Sequence, residues 1–279
     1  MHAMRNAAAA ILLLAAFAAQ GAPLEFGERR LEVPVPEGFE PVSRRLPQFI
    51  TLAQAYLPAG NRLVEAYLLP DDIAAMERGE AVDIKRYFQV QTLRKLDGVP
   101  VSASEFEEVS GQLEASLGKA IDDASEQGAE LARQGNAAAK RQAGVDPQVG
   151  LDGIAYLGSF RKEAWALFFT TRAVVTLGAE QVPATSAAAL AVIDHQVTYL
   201  YAYTYENDAS GHGRSWAERA VSDWANSVRW ANPDDPELEA KAQRLSGGGL
   251  NAYGLGRAAG IGAFIGLVVW FFRRRGADR

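Results

Sequence analysis

Residues 187–205 read Ala-Ala-Ala-Leu-Ala-Val-Ile-Asp-His-Gln-Val-Thr-Tyr-Leu-Tyr-Ala-Tyr-Thr-Tyr. Two apolar, strand-forming runs flank Asp194-His195, two residues suited to a tight turn, so the stretch is read as an antiparallel hairpin. Alternation then puts Val197, Tyr199, Tyr201, Tyr203 and Tyr205 on one face and Thr198, Leu200, Ala202 and Thr204 on the other. Four tyrosines at every second position form either a flat aromatic platform for sugar rings or a peptide, or a row packed beneath a helix with its hydroxyls at the edge.

Upstream, residues 154–160 and 164–175 are a second strand pair about Arg161-Lys162-Glu163, and residues 28–35, 61–69 and 84–93 also alternate as strands. Residues 47–56 and 72–78 carry helical spacing. The longest helical signal opens at Ser104-x-x-Glu107, a capping-box pattern, and runs on as the stripe Phe106, Val109, Leu113, Leu117, Ala120, Ile121 and Ala124. Beyond Ser125 the stripe dissolves around Gly128 and Gly135. An unbroken helix to Arg141 would measure about 55 Å, wider than the domain, so its second half is expected to bend, or to project as an arm toward a partner. After the tyrosine strand, Ser215-x-x-Glu218 predicts a helix to about Trp230, with Trp216, Ala220, Trp224, Ser227, Val228 and Ala231 inward and Asn232-Pro233 as its stop. This order predicts an α+β domain, an antiparallel sheet covered by helices of which one is long.

The two ends predict a compartment. Arg5 precedes an unbroken apolar run over 7–19 and the small residues around Gly21, which is the pattern of a signal peptide over 1–21. Near the other end, residues 250–272 are largely apolar, carry Gly256, Gly260, Gly262 and Gly266 as two G-x-x-x-G pairs, and run into Arg273-Arg274-Arg275. That reads as one transmembrane helix with a stop-transfer signal and a cytoplasmic tail over 273–279. The glycine pairs could pack two spans together as a homodimer. The expected layout is therefore a type I protein of a bacterial inner membrane: a periplasmic domain over 22–233, a linker over 234–249 that holds a short helix from Pro236 and ends in the Ser246–Gly249 hinge, one span and a basic tail.

Composition narrows the chemistry. The chain of 279 residues has 28 basic and 34 acidic residues. Setting aside Arg5, Arg257, Arg273, Arg274, Arg275 and Arg279 with Asp278 leaves 22 basic and 33 acidic between Pro23 and Leu250, a net of −11. No nucleic-acid partner is expected of so acidic a domain, and basic partners are favoured. The absence of cysteine removes disulfides, thiolate metal sites and thiol nucleophiles. Within the exported part the only histidines are His195 and His212, both in segments read as surface loops. The pairs Asp71-Asp72, Glu107-Glu108, Asp122-Asp123 and Asp234-Asp235 place neighbouring carboxylates on different sides of a helix or at its start. No nucleotide-binding, zinc-protease or nucleophile-elbow motif occurs, so no catalytic residue, cofactor or metal is expected.

The phrase Val33-Pro34-Val35-Pro36-Glu37-Gly38-Phe39, the paired strands about Asp194-His195 and the Trp-bearing closing helix resemble the layout of the PsbP/Mog1-like α/β proteins and of bacterial exported, membrane-anchored proteins. The resemblance implies a fold and carries over no functional residue. The expected function is a non-enzymatic binding or interaction module of the cell envelope, partnering another envelope protein or a cell-wall component. An envelope hydrolase acting on cell wall or peptide, with His212 or a carboxylate as base, is the alternative; a membrane-assembly subunit working through its glycine-rich span is another.

Overall fold

The computed structural model describes residues 22–80, 82–144, 147–205, 211–245 and 250–262. Strands are β1 (Leu24–Phe26), β2 (Arg29–Leu31), β3 (Glu40–Pro41), β4 (Asn61–Leu68), β5 (Arg86–Leu93), β6 (Val149–Glu163), β7 (Ala166–Leu177), β8 (Glu180–Ile193) and β9 (Gln196–Thr204). Helices are α1 (Pro47–Gln54), α2 (Pro70–Glu77), α3 (Ala103–Ser125), α4 (Gly128–Ala143), α5 (His212–Ala231), α6 (Pro236–Leu245) and α7 (Ala252–Gly262). The fold is α+β. Seven strands form one sheet in the order β3-β4-β5-β9-β8-β7-β6, with every neighbouring pair antiparallel, and β1 and β2 form a separate small hairpin.

The sheet is covered on both faces. Side chains at 197, 199, 201, 203 and 205 join α1, α3, α4 and α7 in one core; Leu200 and Ala202 join α5 and the β1–β2 hairpin in the other. The predicted alternation in β9 thus holds, and so does the turn. Asp194 and His195 have φ of 41° and 64°, as a two-residue hairpin turn requires. Ala187, Ala189 and Ala191 of β8 face α5, and these small side chains let the helix lie close. In β4 a bulge between Leu63 and Glu65 puts Leu63 and Ala66 in the same core despite their odd spacing. The Glu65 carboxylate is buried at that bulge, accepting from the Ser43 and Ala66 amides at 3.1 and 2.9 Å and from the Ser43 hydroxyl.

Several expectations are corrected. The cap of α3 is Ser102, whose hydroxyl accepts from the Glu105 amide at 3.1 Å, two residues before the Ser104/Glu107 pattern. The long helix breaks at Glu126–Gln127, and α4 folds back, with Gly128 against Leu151 of β6 and Gly135 against Tyr56 next to α1. It bends and does not project. The turn between β6 and β7 falls at Ala164-Trp165, because Arg161, Lys162 and Glu163 still pair with β7. Ser215 does not cap α5, which begins at His212; Glu218 instead accepts from Arg214 and from the Thr170 hydroxyl. The buried stripe of α5 is Gly213, Ala217, Val221, Trp224, Ala225 and Val228. It is turned by one residue from the predicted face, because small side chains and not Trp216 meet the alanines of β8.

The short helix read from Pro236 is α6, and it does more than link. It buries Ala242 and brings Glu239 to within 3.1 Å of His195. No helix among the described residues is long and apolar enough to cross a membrane. Residues 1–21, read as a signal peptide, residues 246–249 and residues 263–279, and with them Gly266 and Arg273, Arg274 and Arg275, lie outside the described residues.

Candidate functional site

The tyrosine row occupies a groove between the sheet and α3. Antiparallel register sets Tyr87, Gln89 and Gln91 of β5 opposite Tyr203, Tyr201 and Tyr199 of β9, and Asn61 of β4 continues the polar strip. Tyr87 and Tyr203 stack with centroids 4.2 Å apart and planes 3° from parallel; Tyr201 stacks on Tyr203 at 5.6 Å and on Tyr199 at 6.3 Å. All four β9-side tyrosines are buried, Tyr199 and Tyr201 completely. Of the two readings of the row, an open platform and a row packed beneath a helix, the structure has the second, and the covering helix is α7.

The first half of the segment read as a membrane span lies in the groove. The Tyr199 hydroxyl donates to the Leu255 carbonyl at 3.2 Å, the Tyr201 hydroxyl to the Ala259 carbonyl at 3.0 Å, and the Asn61 amide nitrogen to the Ala258 carbonyl at 3.1 Å. The two periodicities explain the fit. Alternate strand residues repeat every ~6.6 Å, and helix residues four apart repeat every ~6 Å. A Tyr-x-Tyr strand therefore meets the i and i+4 carbonyls of a helix lying along it, and each carbonyl has a second lone pair beyond its own helical bond. On the other side of α7, a Cβ at Gly256 would lie 3.1 Å from Ala120 Cβ and Leu113 Cδ1 and 3.3 Å from Leu117 Cδ1. Gly256 is what lets α7 approach α3, so this glycine serves a contact within the chain; Gly260 and Gly262 belong to the same helix.

Electrostatics keep the groove a set of neutral donors. Burial pushes the phenols of Tyr199, Tyr201, Tyr203 and Tyr205 well above their ordinary range, so none ionises near neutrality. Tyr203 donates to Gln89 Oε1 at 3.3 Å, Gln91 Nε2 to the same oxygen at 3.0 Å, and Asn61 to Gln91 Oε1 at 3.3 Å. Gln89 Nε2 is buried without a hydrogen-bond partner among the described residues. At the mouth, Tyr253 of α7 donates to Asp123 Oδ2 at 2.6 Å, beside Lys119 at 2.8 Å. The Lys119 contact, then that of Tyr253, holds the Asp123 carboxyl below its usual range.

The candidate catalytic groups do not gather there. His195 is buried, correcting its reading as a surface residue: its Nδ1 lies 3.2 Å from the Val101 carbonyl and 3.1 Å from Glu239, because the tight turn tucks the ring beneath α6. Asp194 binds Arg29 at 2.7 Å and the Asp235 amide at 3.0 Å, so this turn fastens the N-terminal hairpin and α6 to the sheet. His212 is exposed at the start of α5, with no acid paired to it among the described residues. Asp71 and Asp72 sit in the first turn of α2, Asp234 pairs with Arg229, and Asp235 accepts from the Glu237 amide at the start of α6. Among the described residues no three His, Asp or Glu side chains gather where they could hold a metal ion.

The groove was legible as a row of tyrosines, but its other wall was not. Asn61, Gln89 and Gln91 stand in strands that the alternation identifies, but nothing within those strands marks these three as facing the tyrosine row. Compared with known proteins, the chain matches no family model, no curated sequence and no solved structure.

Proposed function

We propose that this is an exported, membrane-tethered interaction module of the cell envelope that binds small-residue helices in its tyrosine groove. The observation that carries the reading is the set of three donors, Tyr199, Tyr201 and Asn61, placed on the backbone carbonyls of Leu255, Ala259 and Ala258. Donors aimed at carbonyls recognise a helix by its spacing, and the closeness of α3 admits only glycine or alanine on the inner side. In the closed form the occupant is the chain's own α7. When residues 250–272 span the inner membrane, the signal peptide having led the domain out, the groove is free for an envelope partner. Scattered histidines and neutral, buried phenols favour binding over hydrolysis.

The test is crosslinking of the tagged full-length chain in intact cells, followed by mass spectrometry, for wild type and for Tyr199→Phe/Tyr201→Phe. The double variant keeps both rings and removes two donors. One stoichiometric envelope protein captured by wild type and lost in the variant is the expected result. Equal capture by both would place the interaction elsewhere, and no capture would end the proposal.

A further inference from the structure

On the opposite face of the sheet, a cleft of about 500 Å³ opens between residues 34–39 and α5. Its aromatic lining is built around Phe88, which meets Phe39, Trp224 and Trp216 edge-on at 4.8, 5.2 and 5.7 Å. Trp224 is fixed by donation of its indole N–H to the Pro34 carbonyl at 2.8 Å, so one wall is rigid. Phe39 and Trp216 are only half-buried.

The charge in this cleft has one sign. Glu37 and Asp223 line it, both exposed, and neither forms an ion pair with any described residue. Of the basic residues on α5 and beside it, Arg214 pairs with Glu218, Arg229 pairs with Asp234 and Arg86 lies over the Trp216 ring at 4.6 Å; Arg219, one turn before Asp223 on α5, is exposed, forms no ion pair with a described residue and does not line the cleft. Aromatic rings with unpaired carboxylates are the surroundings in which an organic cation gains most, through ring quadrupoles and counter-charge together. The net of −11 between Pro23 and Leu250 steers cations toward the domain as a whole.

The site does not end at the cleft. Trp216, Ala220, Asp223 and Ser227 line it at helical spacing, and position 230 continues that stripe one turn further. Trp230 stands there 87% exposed, the most exposed large apolar side chain among the described residues. From 216 to 230 the stripe is about 21 Å long, which is the span of some six residues of extended chain.

We infer that this surface docks a basic polypeptide segment, with one arginine or lysine side chain in the cleft against Glu37 and Asp223 and the chain running along α5 to Trp230. It lies across the sheet from the tyrosine groove, so it stands or falls separately from the function proposed above.

The experiment is fluorescence anisotropy of fluorescein-labelled hexa-arginine titrated with the full-length chain in detergent micelles at about 0.1 M salt. Hexa-citrulline, of the same length and uncharged, is the companion probe. Glu37→Gln/Asp223→Asn should weaken hexa-arginine binding about tenfold. The charge-matched variant Glu107→Gln/Glu108→Gln, on the exposed side of α3, should change it less than twofold. Trp230→Ala should weaken binding several-fold at an unchanged melting temperature, since its side chain is packed on little. Equal losses in the two carboxamide variants would reduce the effect to bulk charge and overturn the assignment. Wild-type affinity in both Trp230→Ala and Glu37→Gln/Asp223→Asn, equal binding of hexa-citrulline, or no binding of hexa-arginine would overturn it as well.

Discussion

If residues 250–272 span a membrane as proposed, locking α7 into its groove should release the chain from it. The lock is Ala120→Cys/Gly256→Cys. A Cβ at 256 would lie 3.1 Å from Ala120 Cβ, and a disulfide prefers about 3.8 Å, so α7 must back away by less than 1 Å. The chain has no other cysteine to compete. With residues 250–262 held on the domain, the apolar segment keeps only residues 263–272. Ten residues reach ~15 Å as a helix, against a hydrocarbon core of ~30 Å, so docking and spanning exclude one another. The closed form is no trivial competitor. Three hydrogen bonds at about 1 kcal/mol each and burial of Leu255 at about 2 kcal/mol favour it by about 5 kcal/mol. That is an opening constant between about 10⁻³ and 10⁻⁴ unless a bilayer or a partner helix takes up what the groove releases. The assay is alkaline carbonate extraction of membranes carrying the variant, with the disulfide read from mobility on a non-reducing gel. The oxidised fraction should be extracted and the reduced fraction retained. An oxidised chain that stays integral to the membrane would refute the length argument, and a disulfide that never forms in cells would show the closed form to be unpopulated there.

Two further outcomes follow from the packing. Gly135→Ala should destabilise by about 1–3 kcal/mol although alanine is the better helix former by about 1 kcal/mol, because its Cβ would fall 2.1 Å from Tyr56 Cδ1 and displace a ring whose hydroxyl bonds Asn136 at 3.0 Å; Gly111→Ala, whose nearest neighbour is Lys162 Nζ at 3.9 Å, should raise the melting temperature in the same thermal scan. The contribution of the buried phenols to stability should be constant up to about pH 10 and fall above it: the unfolded chain gives up phenol protons near pH 10, while Tyr67, Tyr199, Tyr201, Tyr203 and Tyr205 hold theirs until the fold opens, so phenolate absorbance from these residues should rise together with loss of circular dichroism and not before it.

How far the sequence could be read depended on whether a signal was local. The β8–β9 hairpin was legible because its turn, its alternation and its strand length are all written within 187–205, and β4, β5 and α1 were legible for the same reason. Signals that depend on a distant partner misled. Serines at 102 and 104 both precede a glutamate by three residues, and only the tertiary path of the chain selects Ser102. Trp216 drew the inward face of α5 toward itself, although alanines on β8, about 30 residues upstream, decide which side of the helix can come close. His195 looked like a loop residue because the turn is polar; its burial comes from Glu239 in α6 and Val101 before α3, which no pattern near residue 195 announces. Residues 250–272 are the sharpest case. Gly, Ala and Leu serve a helix in lipid and a helix against Tyr199 and Leu113 equally well, so their hydropathy records only that the segment avoids water.

That ambiguity has a physical use under the reading proposed above. A sheet face meant to be covered permanently is most stable when apolar, since each buried polar group must find a partner or cost about 1–3 kcal/mol. The face beneath α7 instead carries Asn61, Gln89, Gln91 and a row of tyrosine hydroxyls, and one of its amide donors, Gln89 Nε2, goes without a partner among the described residues even in the closed form. Such a face gives up stability and gains selectivity: water meets its donors while the groove is open, and an occupant that excludes water meets them only with a backbone of the right repeat. A strand repeat of ~6.6 Å set against a helical one of ~6 Å supplies that rule without reading any side chain except for size, at the contact of Gly256 with Ala120 and Leu113. The 250–262 segment of a second copy satisfies it as fully as the chain's own, and so does any partner helix with glycine or alanine facing α3. Bulk added at position 256 of the occupant, as in Gly256→Leu, should therefore abolish docking in cis and in trans alike while leaving the seven-stranded sheet intact.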